Sequence, residues 1–523
     1  MARITLRLLA SIALWPLALE AQAPRLGSIE FSTSAQGKAQ QEFITGVLYL
    51  HSFEYASAAE AFRRAQKLDS SFALAYWGEA MTHTHPVWNE QDTAAAHVIL
   101  RRLGETRDVR LSKARTPRER AYLEAVEILY GSGTKSARDT AYAQAMERLA
   151  RAYPDDREAK AFFALALLGL NQGVRDVPTY MRAGAIAGEV FEANPNHPGG
   201  AHYVIHAFDD PAHAPLGLRA ARAYSGIAPD AAHAQHMTSH IFLALGMWDE
   251  TAHANEVATR AVRDSNAGWA RRSCGHYGEW LQYAYFQQAR PAAAAQLFEE
   301  CRIQAAAPNG GRLRMSLAGM RAVQIVESER WDGTVVRLAM DTSGLSEFAR
   351  SFLDFGTAYA AAKRGDWAAA RKARATLVAR ATRRPADEQA YLAIMTRELD
   401  ALQALAAGRT DDALKDLRQA AAIDDSLPVD FGPPIAVKPP RELLGEILLQ
   451  LRQPAEARRE LDLQLTRTPG RARTLLALAR AATAAGESAR ADAAYRQLAR
   501  LWRNAEPGGA ELAEVRRAVA QSR

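Results

Sequence analysis

Two cysteines in 523 residues are too few for a disulfide framework. Long uncharged apolar runs are also scarce. Beyond the N-terminal segment nothing approaches the roughly 18 residues of a membrane-spanning helix, so no span is expected in the mature chain. An excess of one charge is missing as well: 65 Lys and Arg face 59 Asp and Glu. The arginines are scattered singly among acids instead of forming a stripe, which leaves out the electrostatic footprint of a nucleic-acid binder. With 48% apolar residues, 33 Gly and 22 Pro, the composition is not that of a disordered chain.

The first residues, MARITLRLLASIALWPLALEAQA, set Arg3 and Arg7 before an apolar stretch from Leu8 to Leu19 and end on Ala21-Gln22-Ala23. This is the layout of a secretory signal peptide over residues 1–23, and it predicts an exported protein, periplasmic or extracellular.

What the remainder does contain is repetition. In GVLYLHSFEYASAAEAFRRAQKLD, Gly46, Tyr49, Ala58, Phe62 and Ala65 recur at offsets where small residues let two helices approach and rings fill the groove between them. The stretch LLGEILLQLRQPAEARRELDLQLTRTP repeats this with Leu444, Gly445, Ala457, Leu461 and Pro469. Further units surround Gly365, Gly408 and Gly486, and Pro195 and Pro229 stand 34 residues apart. These offsets and this period resemble the tetratricopeptide (TPR) repeat family. The resemblance implies an all-α solenoid of antiparallel helix pairs whose first helices line a concave surface. The expected order is an array with a His-rich groove over 24–310, further TPR-like helices over 311–425, a Pro-rich joint over 426–440 and C-terminal repeats over 441–523. Irregular insertions are expected near 86–118, 170–180, 264–274 and 423–440.

All 13 histidines lie between His51 and His276, and the 247 residues that follow have none. His202 and His206 are four apart and so share one helix face. His236 and His240 repeat that spacing 34 residues later, which sets two imidazole pairs at one height on adjacent helices. In the frame set by the two prolines these four occupy repeat positions 5 and 9, on the groove side. His233 takes position 2 and Asp209 position 12; in the next repeat His276, Glu279 and Tyr283 take positions 2, 5 and 9. Neighbouring helix axes lie roughly 8–10 Å apart and His–metal bonds are about 2.0–2.1 Å long, so imidazoles from adjacent helices reach one or two ions between them. Nitrogen ligation suits Zn, Cu, Fe or Ni, and Cu or Zn is expected ahead of Fe. The expected ligands are His202, His206, His236, His240 and His276, with His233, His197 and His85 as further members. Asp209 and Glu279 are candidates for ligand, anchor or general base, with Tyr283 beside them. A competing reading makes the histidines packing residues, copied along with the repeat. His51 and His85, also 34 apart, either close the near end of the groove or hold a polar helix terminus against Pro86 and Trp88. His97 and His253 read as surface or packing residues.

The strings HPGGAHYVIHAFDDP and HMTSHIFLALGMWDE are also similar to those of exported bacterial TPR proteins with a His-rich central segment. That likeness spans about residues 40–300 and implies a shared site without naming a reaction. Cys274 and Cys301 fall at adjacent ends of one helix hairpin, where an oxidising compartment favours a disulfide. The alternative, a Cys274 thiolate beside the metal in a blue-copper arrangement, excludes that bond. No phosphate-binding Gly-x-x-x-x-Gly-Lys, dinucleotide fingerprint, His-Glu-x-x-His or Gly-x-Ser-x-Gly is present. If the chain is an enzyme, its catalysis, oxidative or hydrolytic, rests on the metal site. The expected ligand is a small molecule or peptide in the groove, with a protein partner on the C-terminal repeats. The alternative function is a non-enzymatic interaction scaffold.

Overall fold

The structure is a computed structural model that describes residues 23–170, 175–264, 268–269, 272–308, 310–382, 384–429 and 431–521. The expected leader lies, except for Ala23, outside the described residues. Helices follow one another along the chain as consecutive antiparallel pairs, making an all-α, TPR-like solenoid. Among the described residues the strands amount to two short antiparallel hairpins, Thr84–His85 with Glu90–Gln91 and Arg263–Asp264 with Gly268–Trp269. No described helix is long and apolar enough to cross a membrane. The insertion near 86–118 is more regular than expected. It holds helices Thr93–Leu103 and Arg107–Ser112, each started by a side-chain oxygen, from Asp92 and Thr106, that accepts a backbone N–H one turn on.

The first repeat shows why its small residues sit where they do. Helix Tyr55–Leu68 buries Ala58, Phe62 and Ala65 along one face while Arg63, Arg64 and Lys67 stay exposed. The Phe62 ring enters a slot between Gly46 on helix Gly37–His51 and Gly78 on helix Ala73–Met81. A Cβ at either glycine would lie 2.6 or 2.3 Å from that ring. Gly445 and Leu461 repeat the fit in the C-terminal array, where a Cβ would meet the leucine at 2.5 Å.

The C-terminal repeats turn back onto the middle of the chain. Gly246, at φ +69°, approaches the Pro469 carbonyl so closely that a Cβ would stand 2.5 Å from its oxygen. Beside it, the Trp248 indole N–H donates to the Gly470 carbonyl at 2.7 Å. Farther along, the Trp502 indole N–H donates to the Gln287 carbonyl at 3.1 Å. Arg471, fully buried, donates to Glu442 and Glu327 at 2.7 Å each and to the Tyr283 hydroxyl at 2.8 Å. One guanidinium thus ties three separate helices together. Breaking a buried ion pair leaves its carboxylates uncompensated, so Arg471→Met is expected to cost about 3–5 kcal/mol in urea unfolding; a loss below about 1 kcal/mol would show that the fold-back does not depend on this residue.

Candidate metal centre

Three helices carry the imidazoles. Pro198–Ala207 bears His202 and His206; Ala232–Ala244 bears His233, His236 and His240; and His276–Gln287 starts with His276. The first of these begins with His-Pro-Gly-Gly for identifiable reasons. The His197 Nδ1 accepts the Gly200 N–H at 3.0 Å as a cap, and Pro198 occupies the first turn, where its missing N–H costs nothing. The two glycines make room. A Cβ at Gly199 would lie 2.3 Å from the His51 ring, and one at Gly200 would lie 2.9 Å from the Phe191 backbone nitrogen.

The six histidines sort into two triads, His202–His206–His233 and His236–His240–His276, each offering three ring nitrogens within 4.8 Å of one another. Each triad takes an i, i+4 pair from one helix and its third member from the start of the next repeat's first helix. The triads are neighbours, with ring centroids 5.9 Å apart for His206 and His240 and 6.1 Å apart for His233 and His236. His276 is the exposed member and the other five are buried.

Hydrogen bonds behind the rings set which nitrogen faces inward. The His202 Nδ1–H donates to the His51 carbonyl at 2.6 Å. The His240 Nδ1–H donates to Asp209 at 2.5 Å. The His236 Nδ1–H donates to the Asn255 side-chain oxygen at 2.7 Å, and the Asn255 amide is held in that orientation by donating to the Thr251 carbonyl at 2.9 Å. With Nδ1–H committed, a neutral ring has only its Nε2 lone pair left to offer. The Nε2 atoms of His202, His206 and His233 are buried without any hydrogen-bond partner. Those of His236 and His240 face each other at 3.0 Å, a separation that one shared proton or one bound cation spans. Two nitrogens on one ion at about 2.05 Å stand about 2.9–3.3 Å apart, which matches.

The electrostatics keep these lone pairs free. Burial, reinforced by the neighbouring imidazoles, pushes His202 down to about 3 and His206, His233 and His236 well below the ordinary imidazole value, so these rings are neutral at pH 7. Metal ligation needs the neutral form. An unpaired buried nitrogen costs about 1–3 kcal/mol, a cost that a bound ion offsets.

Other expected residues are placed elsewhere. His197 belongs to a closed network with His51 and Glu158. Both rings donate to that carboxylate, at 2.9 and 2.6 Å, while the His51 Nδ1 accepts from the Tyr203 hydroxyl at 2.8 Å. These three residues form a further group whose donor atoms lie within 4.8 Å of one another and could hold a metal ion, with the ring nitrogens here engaged in hydrogen bonds. His85 stacks on Tyr55 at 4.1 Å, with its ring nitrogens toward Glu90 and the Thr82 carbonyl. Glu279 turns to Ser316 on helix Gly311–Ser328, and burial raises its carboxyl. Tyr283 accepts from Arg471, and Asp209 serves as the anchor behind His240. Cys274 and Cys301 form a disulfide, so the alternative of a Cys274 thiolate ligand is overturned: the two hairpin ends lie with their Cα atoms 4.3 Å apart. Sequence reasoning passed over Asn255. Its signal was an amide, a weak helix former, in the interior of helix Trp248–Ala261. Of the aromatic neighbours, Tyr277 and Trp280 share helix His276–Gln287 while Phe53 comes from the turn after helix Gly37–His51, and no local pattern links that turn to the helix.

The chain matches no protein-family model and no curated protein. Its fold is similar to solved helical-repeat structures. The human IFIT1 dimer with PPP-AAAA is 14% identical, with 87% of this chain and 89% of that chain covered at a TM-score of 0.37. The P58(IPK) TPR domain is 12% identical over 93% and 99%, at 0.21. The APC/C hetero-tetramer Cut9–Hcn1 is 10% identical over 93% and 97%, at 0.31.

The closed network makes its own prediction. Burial alone raises a carboxyl, but the His197 and His51 rings more than offset this and hold Glu158 down to about 2, below its ordinary 4.5. Its stabilisation is therefore in force above about pH 4.5 and is lost as the pH falls toward about 2. Glu158→Gln is expected to lose about 3 kcal/mol or more at pH 7 and to converge with wild type as urea titrations are moved below pH 4.5. A gap that stays constant with pH would contradict an ionised Glu158.

Proposed function

We propose that each triad binds one transition-metal ion, Cu or Zn, and that the protein is an exported, metal-dependent enzyme whose chemistry, oxidative or hydrolytic, belongs to that pair of ions. The observation that carries this reading is the set of buried Nε2 atoms with no protein partner, backed on His202, His236 and His240 by committed Nδ1–H groups. Metal-binding histidines characteristically donate their other N–H to a carbonyl, amide or carboxylate. Packing histidines would have used both nitrogens, as His51 and His197 do. Neither triad contains a carboxylate, which speaks against Mg, Mn and the two-His-one-carboxylate iron sites. Asp209 acts here as a positioning residue, while Glu279 and Tyr283 hold the frame. The Cys274–Cys301 disulfide supports an oxidising compartment.

The scaffold reading finds its surface away from the histidines. An open cleft of 590 Å³, lined by Gln324, Arg330, Arg473, Trp502 and Glu511 among others, lies between helix Gly311–Ser328 and the C-terminal helices. Its mixed charge suits a peptide partner, which is compatible with a metal centre elsewhere.

Elemental analysis of untagged protein from its own compartment tests the reading. Two equivalents of Cu or Zn are expected, and His206→Ala with His240→Ala is expected to abolish tight binding at both triads. Asp209→Ala, which frees the His240 ring, is expected to weaken one site about 10–100-fold in a chelator competition. Absence of metal even after reconstitution would leave the scaffold.

A further inference from the structure

The donor set distinguishes between the metals. Both triads offer imidazoles alone, and among the described residues two carboxylates are hydrogen-bonded to their members, Asp209 to the His240 ring and Glu54 to the His233 backbone N–H. Two divalent ions would bring four positive charges into a largely buried site against these two negative ones, and uncompensated buried charge is costly. Two cuprous ions halve the charge, and three imidazole nitrogens complete a coordination shell that a monovalent copper ion accepts. Copper also stands above zinc in affinity for nitrogen sites when both are divalent. With both cysteines of the chain joined in the disulfide, no thiolate of its own competes for the metal.

The surroundings of the triads indicate what approaches them. Phe53 packs on His202 at 4.3 Å, Trp280 on His240 at 4.3 Å, and Tyr277 stacks on His236 at 4.6 Å. Two further aromatics touch the centre yet face solvent. Trp88, from the loop of the Thr84–Gln91 hairpin, meets His233 at 5.8 Å and is 40% exposed. Phe431, from the Pro-rich segment before helix Pro440–Gln450, meets His240 at 5.3 Å and is 38% exposed. His276, a triad member itself, is exposed as well. An aromatic rim around a few convergent polar groups is the composition of a small-molecule site, and its flat faces suit an aromatic ring.

Building on the two-ion reading above, we propose that the triads form a paired copper centre that uses dioxygen to oxidise small diphenols seated between Trp88 and Phe431. Two adjacent ions that each exchange one electron match a two-electron oxidation. A diphenol gives up two electrons and two protons: both O–H bonds break and both C–O bonds become carbonyls of the ortho-quinone. Two diphenols supply the four electrons and four protons that cleave the O–O bond of one dioxygen and form two waters. Copper carries the electrons, alternating between the cuprous and cupric states, and is regenerated.

The test uses the full chain loaded anaerobically with cuprous ion, with stoichiometry measured before air is admitted and catechol as the probe in an oxygen electrode. Two coppers per chain are expected, with one dioxygen consumed for every two catechols converted. His276→Ala removes an exposed ligand, so it is expected to keep the fold, hold one copper tightly and lose oxygen uptake. Trp88→Ala is expected to keep both coppers and raise KM for catechol several-fold, up to about tenfold, with kcat little changed, and Trp88→Phe to restore much of the loss. Two coppers without catechol-dependent oxygen uptake, two zinc ions bound in preference to copper, or a KM indifferent to Trp88→Ala would overturn the diphenol proposal and leave the metal sites standing. Fewer than two ions of either metal in the wild type would overturn the two-ion reading itself.

Discussion

The arrangement around the histidines depends on one constraint: a neutral imidazole has a single N–H, and once that is spent only a lone pair remains. His202, His236 and His240 spend theirs on a backbone carbonyl, an amide oxygen and a carboxylate respectively. Each bond comes from outside the triad and pins the ring so that Nε2 faces inward. The neighbouring His51–Glu158–His197 group sets two buried imidazoles beside a carboxylate, and its hydrogen bonds consume every ring nitrogen. The contrast between the groups lies in bonding as well as in that carboxylate. One uses all its ring nitrogens within a polar network, and the others keep buried Nε2 atoms that could hold a metal ion.

Repetition explains why there are two such sites. The i, i+4 pair recurs after 34 residues, and the histidine that completes each triad opens the next repeat's first helix. A site of this kind sits at the joint between successive helix pairs, and it recurs where the repeated pair carries the histidines with it. His233 and His276 are 43 residues apart instead of 34 because the extra chain before Cys274 intervenes. The disulfide there anchors the start of the helix that His276 begins. The C-terminal repeats add constraint from the far side: Arg471 holds Tyr283, and Phe431 is brought against His240.

Much of this was legible residue by residue. Gly46, Phe62 and Ala65 announced the helix pairing because close packing admits few side chains at a crossing. His202, His206, His236 and His240 announced a shared face because helical periodicity is local. His233 and His276 fell on the groove side by the same repeat count. That count misjudged Glu279 and Tyr283, which fall in register but turn toward Ser316 and Arg471. A register gives the height and rough azimuth of a side chain, whereas its partner depends on which helix packs alongside.

The sequence by itself determined the helical repeats and the spacing of the imidazole pairs, because each follows from the periodicity of one or two adjacent helices, while it left the two cysteines between a disulfide and a thiolate ligand that the structure resolved as a disulfide. Only the tertiary structure decided that six histidines divide three and three, that Asn255, Asp209 and the His51 carbonyl orient them, and that His197 is not among them. It also decided that Phe53, Trp88 and Phe431, scattered across nearly 380 residues, meet at one centre. Hydrogen-bond direction and ring contact are set by side chains brought together from distant repeats, and no local periodicity encodes them.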